Sequence, residues 1–307
     1  MINPRTITRK ISTVIKKPKV LLLKSLIWLS PLLSDELFVK ANFWLRMGTK
    51  LNLKNPSTFN EKLQWLKLYY RKPELTQMVD KYESKKYVAG LIGNDHIIPT
   101  LGVWDSFEEI NFKSLPNEFV LKTTHDQGGV VICKDKNNFD ILKASKKIKK
   151  HLKSQHYYLS REWPYKNVKP RIIAEKYMSD ESTKDLLDYK FFCFHGQPKA
   201  LFVATERQTG KVKFDYFDIN FNRLDLSQVY DSSQNSIEKP GTFDEMVKLA
   251  SILSANHPHV RVDFYDIQGK VYFGELTFFH HGGHQPFHPE EWDYTFGSWI
   301  DLPSEKS

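Results

Sequence analysis

Residues 260–283, VRVDFYDIQGKVYFGELTFFHHGG, bring Arg261, Asp263, Glu275 and Thr277 into one short span. Val262, Phe264, Val271 and Phe273 are residue types that a sheet accepts, and Gly269 suits a turn position with positive φ. The stretch reads as two strands around a turn, followed by a His/Gly loop. A three-residue connection, Ile267-Gln268-Gly269, would set Arg261 opposite Glu275 and leave Asp263 and Glu275 diagonal neighbours on one face. A two-residue Gln-Gly connection would put the two carboxylates on opposite faces, because side chains alternate with period two. The first register is the one expected here. Two carboxylates beside an arginine suit a Mg²⁺ ion carrying nucleotide phosphates, since Mg²⁺ takes one or two protein carboxylates and completes its octahedron with water and phosphate oxygens. For an isolated hairpin, a merely solvated charged face is the competing reading.

Further stretches add chemistry of the same kind. In FVLKTTHDQGGVVIC (119–133), Lys122 lies on a strand entering a loop with Gly128 and Gly129, where backbone N–H groups can approach an anion. No Gly-Lys-Ser/Thr follows, so this is not a Walker loop. RIIAEKYM (171–178) is a strand running into Glu175-Lys176, and DYKFFCFHG (188–196) is a strand opening on Asp188 and Lys190.

This order of lysine strand, glycine loop, Glu-bearing hinge strand, charged strand and Asp/Glu hairpin resembles the ATP-grasp superfamily. With TFNEKLQWLKLYY (58–70), LGVWDSFEEI (101–110), REWPYKN (161–167) and PEEWDYTFGSWIDLP (289–303), it resembles more closely the TupA-like, teichuronopeptide-biosynthesis branch, over roughly residues 55–303. The resemblance implies an α/β (α+β) ATP-grasp fold with nucleotide held between two α+β lobes and a helical N-terminal region. It implies ATP and Mg²⁺ as cofactors. Lys122, Lys190 and Arg261 would contact phosphates, and Gly128 and Gly129 would let the loop close. Glu175 and Lys176 would lie at the adenine hinge and Asp188 near the ribose, while Asp263, Glu275 and Thr277 would hold the metal. Thr277 stands where the superfamily commonly has Asn, which puts a second metal position in doubt. His280-His281-Gly282-Gly283 replaces a common Pro-Gly turn, so the acceptor side does not carry over. The implied reaction is carboxylate–amine ligation through an acyl phosphate, joining a surface-polysaccharide uronic acid to an amino acid or peptide. A polysaccharide glycosyltransferase and a non-catalytic nucleotide-binding module are the alternatives; the Asp-x-Asp motif typical of the former is missing, since Asp263 and Asp266 are three apart.

The elements that must position these groups follow from the rest of the 307 residues, enough for two or three lobes. The expected division is a basic arm (1–34), an N-terminal lobe (35–118), a small lobe with the glycine loop (119–185) and a C-terminal lobe with the hairpin (186–307). Thr58 and Glu61 form a capping-box pattern ahead of Leu63, Leu66 and Tyr70 at helical spacing. Cys133 and Cys193 form no disulfide framework, which favours a reducing, cytoplasmic compartment. Lys143, Lys146, Lys147, Lys149, Lys150 and Lys153 read as a solvated helix face, and no stacking or recognition motif points to nucleic acid. The spacing of His280, His281, His284 and His288 matches no standard zinc pattern; a substrate-facing loop with one histidine assisting proton transfer is the preferred reading.

Of the net charge of +9, seven come from Arg5, Arg9, Lys10, Lys16, Lys17, Lys19 and Lys24, with no acid before Asp35. The apolar run VLLLKSLIWLSPLL (20–33) is too short to span a bilayer. A signal peptide fits poorly, because Ser-Pro-Leu-Leu-Ser is a weak cleavage site. A basic amphipathic helix on the inner face of an anionic membrane and a helix packed on the enzyme body both remain open.

Overall fold

The computed structural model describes residues 18–179, 186–206, 210–233 and 235–304. The chain opens with helices α1 (Pro18–Leu29), α2 (Asp35–Met47), α3 (Phe59–Tyr69), α4 (Glu74–Val79) and α5 (Glu83–Ile92). The capping box forms as expected. Thr58 Oγ1 accepts from the Glu61 N–H at 3.2 Å, and the Glu61 carboxylate accepts from the Thr58 N–H at 3.4 Å. Leu63, Leu66 and Tyr70 are buried.

Strands β1 (Thr100–Trp104), β2 (Phe119–Thr123), β3 (Val130–Cys133) and β4 (Ile172–Lys176) form an antiparallel sheet in the order β1-β4-β2-β3. Helix α6 (Ile141–Leu152) covers it through Ala144 and Ile148, and its lysines stay exposed, as the sequence predicts. A short helix α7 (Tyr157–Ser160) leads to a second antiparallel sheet of β5 (Asp188–Phe194), β6 (Gln197–Thr205), β7 (Lys213–Asp218), β8 (Val260–Ile267) and β9 (Lys270–Thr277). Its order is β7-β6-β5-β8-β9. Helix α8 (Phe243–Ser254) packs on one face, with Phe243 5.7 Å from Phe191. On the other, Phe59 of α3 meets Phe192, Phe194 and Phe296 edge-on, the last from α9 (Glu291–Ser298). Edge-to-face contacts of this kind add to the area that the rings bury.

The expected lobes redistribute. Residues 35–118 do not form a lobe of their own: Leu63, Leu75 and Val88 of α3–α5 join the core of the five-stranded sheet. β1 pairs with β4, and Phe107, Ile110 and Leu115 join Phe119 and Leu121 in the core of the four-stranded sheet. Tyr157, Trp163 and Val168, placed by sequence in the small lobe, belong to the larger core. The reason is that short apolar faces need a sheet to bury against, and the chain offers two.

The arm also differs from expectation. Residues 1–17 lie outside the described residues. Helix α1 is not amphipathic: Lys19 and Lys24 are its only charges, and apolar side chains surround the rest of it. Among the described residues, no helix is long and apolar enough to cross a membrane.

The contact between α9 and α3 leaves no room at Gly297, where an added Cβ would stand 2.3 Å from the Ser57 carbonyl oxygen and 2.8 Å from the Phe59 nitrogen. Gly297→Ala gains about 1 kcal/mol of helix propensity but forces two backbones apart, at a cost of about 1–3 kcal/mol. Urea unfolding should show a lower midpoint with an unchanged slope. A midpoint equal to or above that of the wild type would disprove the close packing.

Candidate functional site

The β8–β9 hairpin turns on two residues, Gln268 and Gly269, with φ of 54° and 74°, and Ile267 pairs with Lys270. Positive φ at both positions is the geometry of a two-residue type I′ turn. The three-residue loop expected from sequence is therefore corrected, and so is the register: Arg261 faces Thr277, and Asp263 faces Glu275 directly. An unbroken ladder from a two-residue turn would have split the carboxylates. A bulge prevents this. The pairing shifts between Asp263 and Phe264, where Phe264 faces Phe273 and Gly274 is the extra residue. One inserted residue reverses the alternation, so both carboxylates return to one face. A Cβ on Gly274 would lie 3.1 Å from the Asp263 carbonyl oxygen, so glycine suits the tight approach.

Arg261 organises that face. Its Nε donates to Asp263 Oδ1 and its Nη2 to Asp263 Oδ2, both at 2.7 Å; Nη2 also reaches Glu275 Oε1 at 3.1 Å and Thr277 Oγ1 at 3.0 Å. Lys190 pairs with Asp188 Oδ2 at 2.7 Å and with Asp263 Oδ2. Burial alone would push the Asp263 carboxyl up, but Arg261 and Lys190 together hold it below its ordinary range. Burial likewise opposes the Arg261 charge, and Asp263 more than offsets it.

The four-stranded sheet presents a second charge cluster. The buried Glu175 on β4 pairs with Lys122 of β2 at 2.5 Å and with Lys85 of α5. Burial raises its pKa, yet the two lysines bring it down to about 2. Lys81 donates to the Asp126 carbonyl at 2.5 Å, and burial lowers its pKa.

Between the two clusters lies a cavity of about 710 Å³. Lys81, Lys85, Lys122, Lys134, Lys176 and Lys190 line it against Glu175, Asp188 and Glu275, so six cations oppose three carboxylates among the described residues. Ile98, Val120, Ile132, Met178, Leu186 and Phe273 supply apolar wall. A cavity with net positive charge and an apolar side suits an anion attached to a flat apolar group.

Of the residues named from sequence, Lys122, Glu175, Lys176, Asp188, Lys190 and Glu275 line this cavity. Arg261, Asp263 and Thr277 stand behind it: Asp263 pairs with Lys190, Arg261 donates to Glu275, and Thr277 accepts from Arg261. Gly128 and Gly129 are not among the residues that line it. A Cβ on Gly129 would lie 1.8 Å from Thr123 Oγ1 and 3.0 Å from His151 Cβ, so these glycines serve the packing of the loop on α6. Asp126 ties that loop down, accepting from Thr123 Oγ1, from Ser154 Oγ at 3.1 Å, and pairing with His151. Lys81, Lys85 and Lys134 are the cavity lysines missing from the sequence reading. Lys85 lies in the first turn of α5 and Lys81 two residues before that helix starts, so their residue type is the only signal the sequence offers for them.

Of the four histidines, His280 and His281 have rings 4.1 Å apart. His280 is buried, accepting from Arg261 Nη1 at 2.8 Å through Nδ1 and meeting Gln228 Oε1 at 3.0 Å through Nε2. His284 is buried beside Asn42, and His288 is exposed. His281 is exposed in a left-handed conformation (φ 47°). Among the described residues, no group of three or more His, Cys, Asp or Glu side chains could hold a metal. The loop carrying them is anchored on α3: buried Lys67 donates to the Gly282 carbonyl and Gln64 Nε2 to the Gly283 carbonyl, each at 2.6 Å. In REWPYKN, Trp163 Nε1 donates to the Tyr70 carbonyl at 3.0 Å, and Arg161 holds the start of the chain, so this segment braces the larger lobe.

Glu175 gives a test of the electrostatics. Its folded pKa lies below its ordinary 4.5, so its pairing contributes stability that is complete above that value and lost as pH falls toward about 2. Glu175→Gln leaves two lysines facing an uncharged amide and should cost about 3 kcal/mol at neutral pH. Denaturant midpoints measured from pH 7 down to pH 2 should show wild type and variant converging below pH 4.5. A gap that ignores pH would disprove the ion-pair account.

The sequence matches the family described as TupA-like ATPgrasp over residues 61–301. No curated protein matches it. Among solved structures, a D-alanine–D-alanine ligase from Bacillus anthracis is similar at 19% identity and a TM-score of 0.38, covering 66% of this chain and 58% of that one. The D-alanine–D-alanine ligase from Helicobacter pylori shows 16% identity and a TM-score of 0.37, covering 80% and 70%. An N5-carboxyaminoimidazole synthase from Aspergillus clavatus shows 13% identity and a TM-score of 0.40, covering 75% and 53%. The chain thus spans little more than half the length of the Bacillus anthracis ligase. With its two antiparallel sheets facing each other across a cationic cavity and the family match extending over most of its length, the chain belongs to the TupA-like ATP-grasp family.

Proposed function

We propose that this protein is an ATP-dependent carboxylate–amine ligase of cell-surface polysaccharide or glycopeptide biosynthesis. The observation that carries the reading is the cavity between the sheets, with lysines from both walls aimed at one volume. In this reading Lys122, Lys85 and Lys81 on one side and Lys190 on the other neutralise the ATP phosphates. The segment Lys176–Met178 with Phe273 borders the adenine, and Asp188 lies toward the ribose.

The residues fit a phosphate-borne Mg²⁺. Glu275 points into the cavity with its side chain 45% exposed, and only its Oε1 is engaged, by Arg261, among the described residues. Asp263 has both oxygens taken by Arg261 and Lys190. Glu275 would therefore be the principal ligand, with Asp263 and the Thr277 hydroxyl next to it. When bound there, the ion would neutralise charge on the phosphoryl group being transferred. Arg261 fixes the Glu275 carboxylate, and Lys190 is placed to follow the phosphoryl group as charge develops.

The acceptor carboxylate attacks the γ-phosphorus and ADP leaves; the amine then attacks the acyl carbon and expels phosphate, giving an amide. The protein positions the groups and neutralises charge. A uronic-acid carboxylate and an amino acid or peptide amine are the substrate classes proposed, at the cytoplasmic side of the envelope.

Incubation with labelled ATP, uronic-acid acceptors and amines should release ADP only when an acceptor is present. Consumption of a sugar nucleotide without ADP release would replace the ligase reading with a glycosyltransferase. Lys122→Met keeps most of the apolar stem and should lower ATP-dependent turnover at least ~10²-fold, as loss of one preorganised charge does. A melting curve run alongside checks folding. Unchanged turnover and nucleotide affinity in the folded variant would remove Lys122 from the site.

A further inference from the structure

Helix α1 has two unlike sides. At 100° per residue, Leu23, Leu26, Ile27 and Ser30 fall on one side, and all four are at least half-buried. Leu21, Leu22, Trp28 and Leu29 fall on the other, and all are exposed, Trp28 by 80%; Leu32, in the turn that follows α1, is 83% exposed. An apolar helix of this kind would ordinarily turn its larger side chains inward. Here its root does not allow it.

Ser30, fully buried, is held by Arg161, which is 1% exposed. Arg161 Nη1 donates to Ser30 Oγ and its Nη2 to the Ser30 carbonyl, both at 2.5 Å, and Nη2 reaches the Leu33 carbonyl at 3.1 Å. Its Nε pairs with Asp35 at 2.8 Å, and its guanidinium lies over Phe38 and Tyr157. Ser30 Oγ in turn donates to the Tyr158 carbonyl at 2.8 Å. A buried arginine that spends its donors on the helix root fixes the rotation of α1 and keeps the Trp28 side outward.

Charge identifies what covers that side. The 34 residues up to this root carry seven basic side chains and no acid, and Lys19 and Lys24 are exposed on α1 itself. Such a segment repels a second copy of itself and is drawn to an anionic surface. α1 is 12 residues long, about 18 Å at 1.5 Å per residue, too short for a bilayer core of about 30 Å. It can lie in the interface, where an exposed tryptophan and leucines beside lysines are favoured.

We propose that the Leu21/Trp28 side of α1, continued by Leu32 in the turn after it and oriented by the Arg161–Ser30 clamp, docks the protein on an anionic lipid surface. The probe is full-length protein with vesicles of phosphatidylcholine alone or with about one-third phosphatidylglycerol, at low and high salt. Co-sedimentation should occur with the anionic vesicles and fall with salt. The variant Trp28→Ser/Leu32→Ser changes only exposed side chains, so its melting temperature should match wild type while the bound fraction falls at least ~10-fold. Equal binding to neutral vesicles, or binding that survives the double substitution in a folded protein, overturns the proposal. So does a concentration-dependent dimer that the same substitutions dissolve, because a second copy would then be the occupant. Arg161→Lys keeps the charge but loses the fork; reduced vesicle binding at unchanged bulk fold supports the clamp, and unchanged binding removes it.

Discussion

The structure depends on how Arg261 is held charged inside the five-stranded sheet. A guanidinium removed from water is costly unless its donors and charge are met. Asp263 meets both in a bidentate pair, and Thr277, His280 and Glu275 take the remaining donors. Each partner is then constrained in turn. Asp263 must share a face with Glu275, which requires the bulge at Gly274, and His280 must accept through Nδ1, which orients its Nε2 toward Gln228. The His–Gly loop follows, tied to α3 by Lys67 and Gln64. One buried charge thus links β8, β9, the loop and the first helices into a stiff wall.

The opposite wall uses the same physics with the sign reversed. Glu175 is a buried anion that needs cations, and it takes one from β2 and one from α5. Two lysines on one carboxylate leave an excess of positive charge facing the cavity. Across the gap, Lys190 is shared between Asp188 and Asp263, and Glu275 is half exposed. The cavity is therefore preorganised for a polyanion, because its charges are fixed by neighbours that cost little to keep in place.

Local sequence carried some of this in full. The Thr58/Glu61 cap needs only residues three apart, and the solvated lysine face of α6 needs only its period. The strands bearing Lys122, Glu175, Lys190 and Glu275 were legible from alternation and residue type, and all four side chains reach the cavity. The face shared by Asp263 and Glu275 was also anticipated, although by the wrong turn. A three-residue loop and a two-residue loop with a bulge give the same parity, and sequence offers little to choose between them. Gly274, a glycine inside a strand, was the mark of the bulge.

What sequence determined by itself was therefore the identity of the charged groups and their spacing along each strand, because period and residue chemistry are local properties. The tertiary structure decided which groups meet. Lys85 comes to Glu175 only because α5 brings it beside the small sheet, Lys81 is held at the Asp126 carbonyl, and residues 35–118 divide between two cores because each apolar face goes to the nearest sheet able to bury it. Gly128 and Gly129 turn toward α6 because His151 and Ser154, more than twenty residues away, hold Asp126 there. The outward face of α1 is set by Arg161, 131 residues from Ser30, and no window on the sequence contains both ends of that bond.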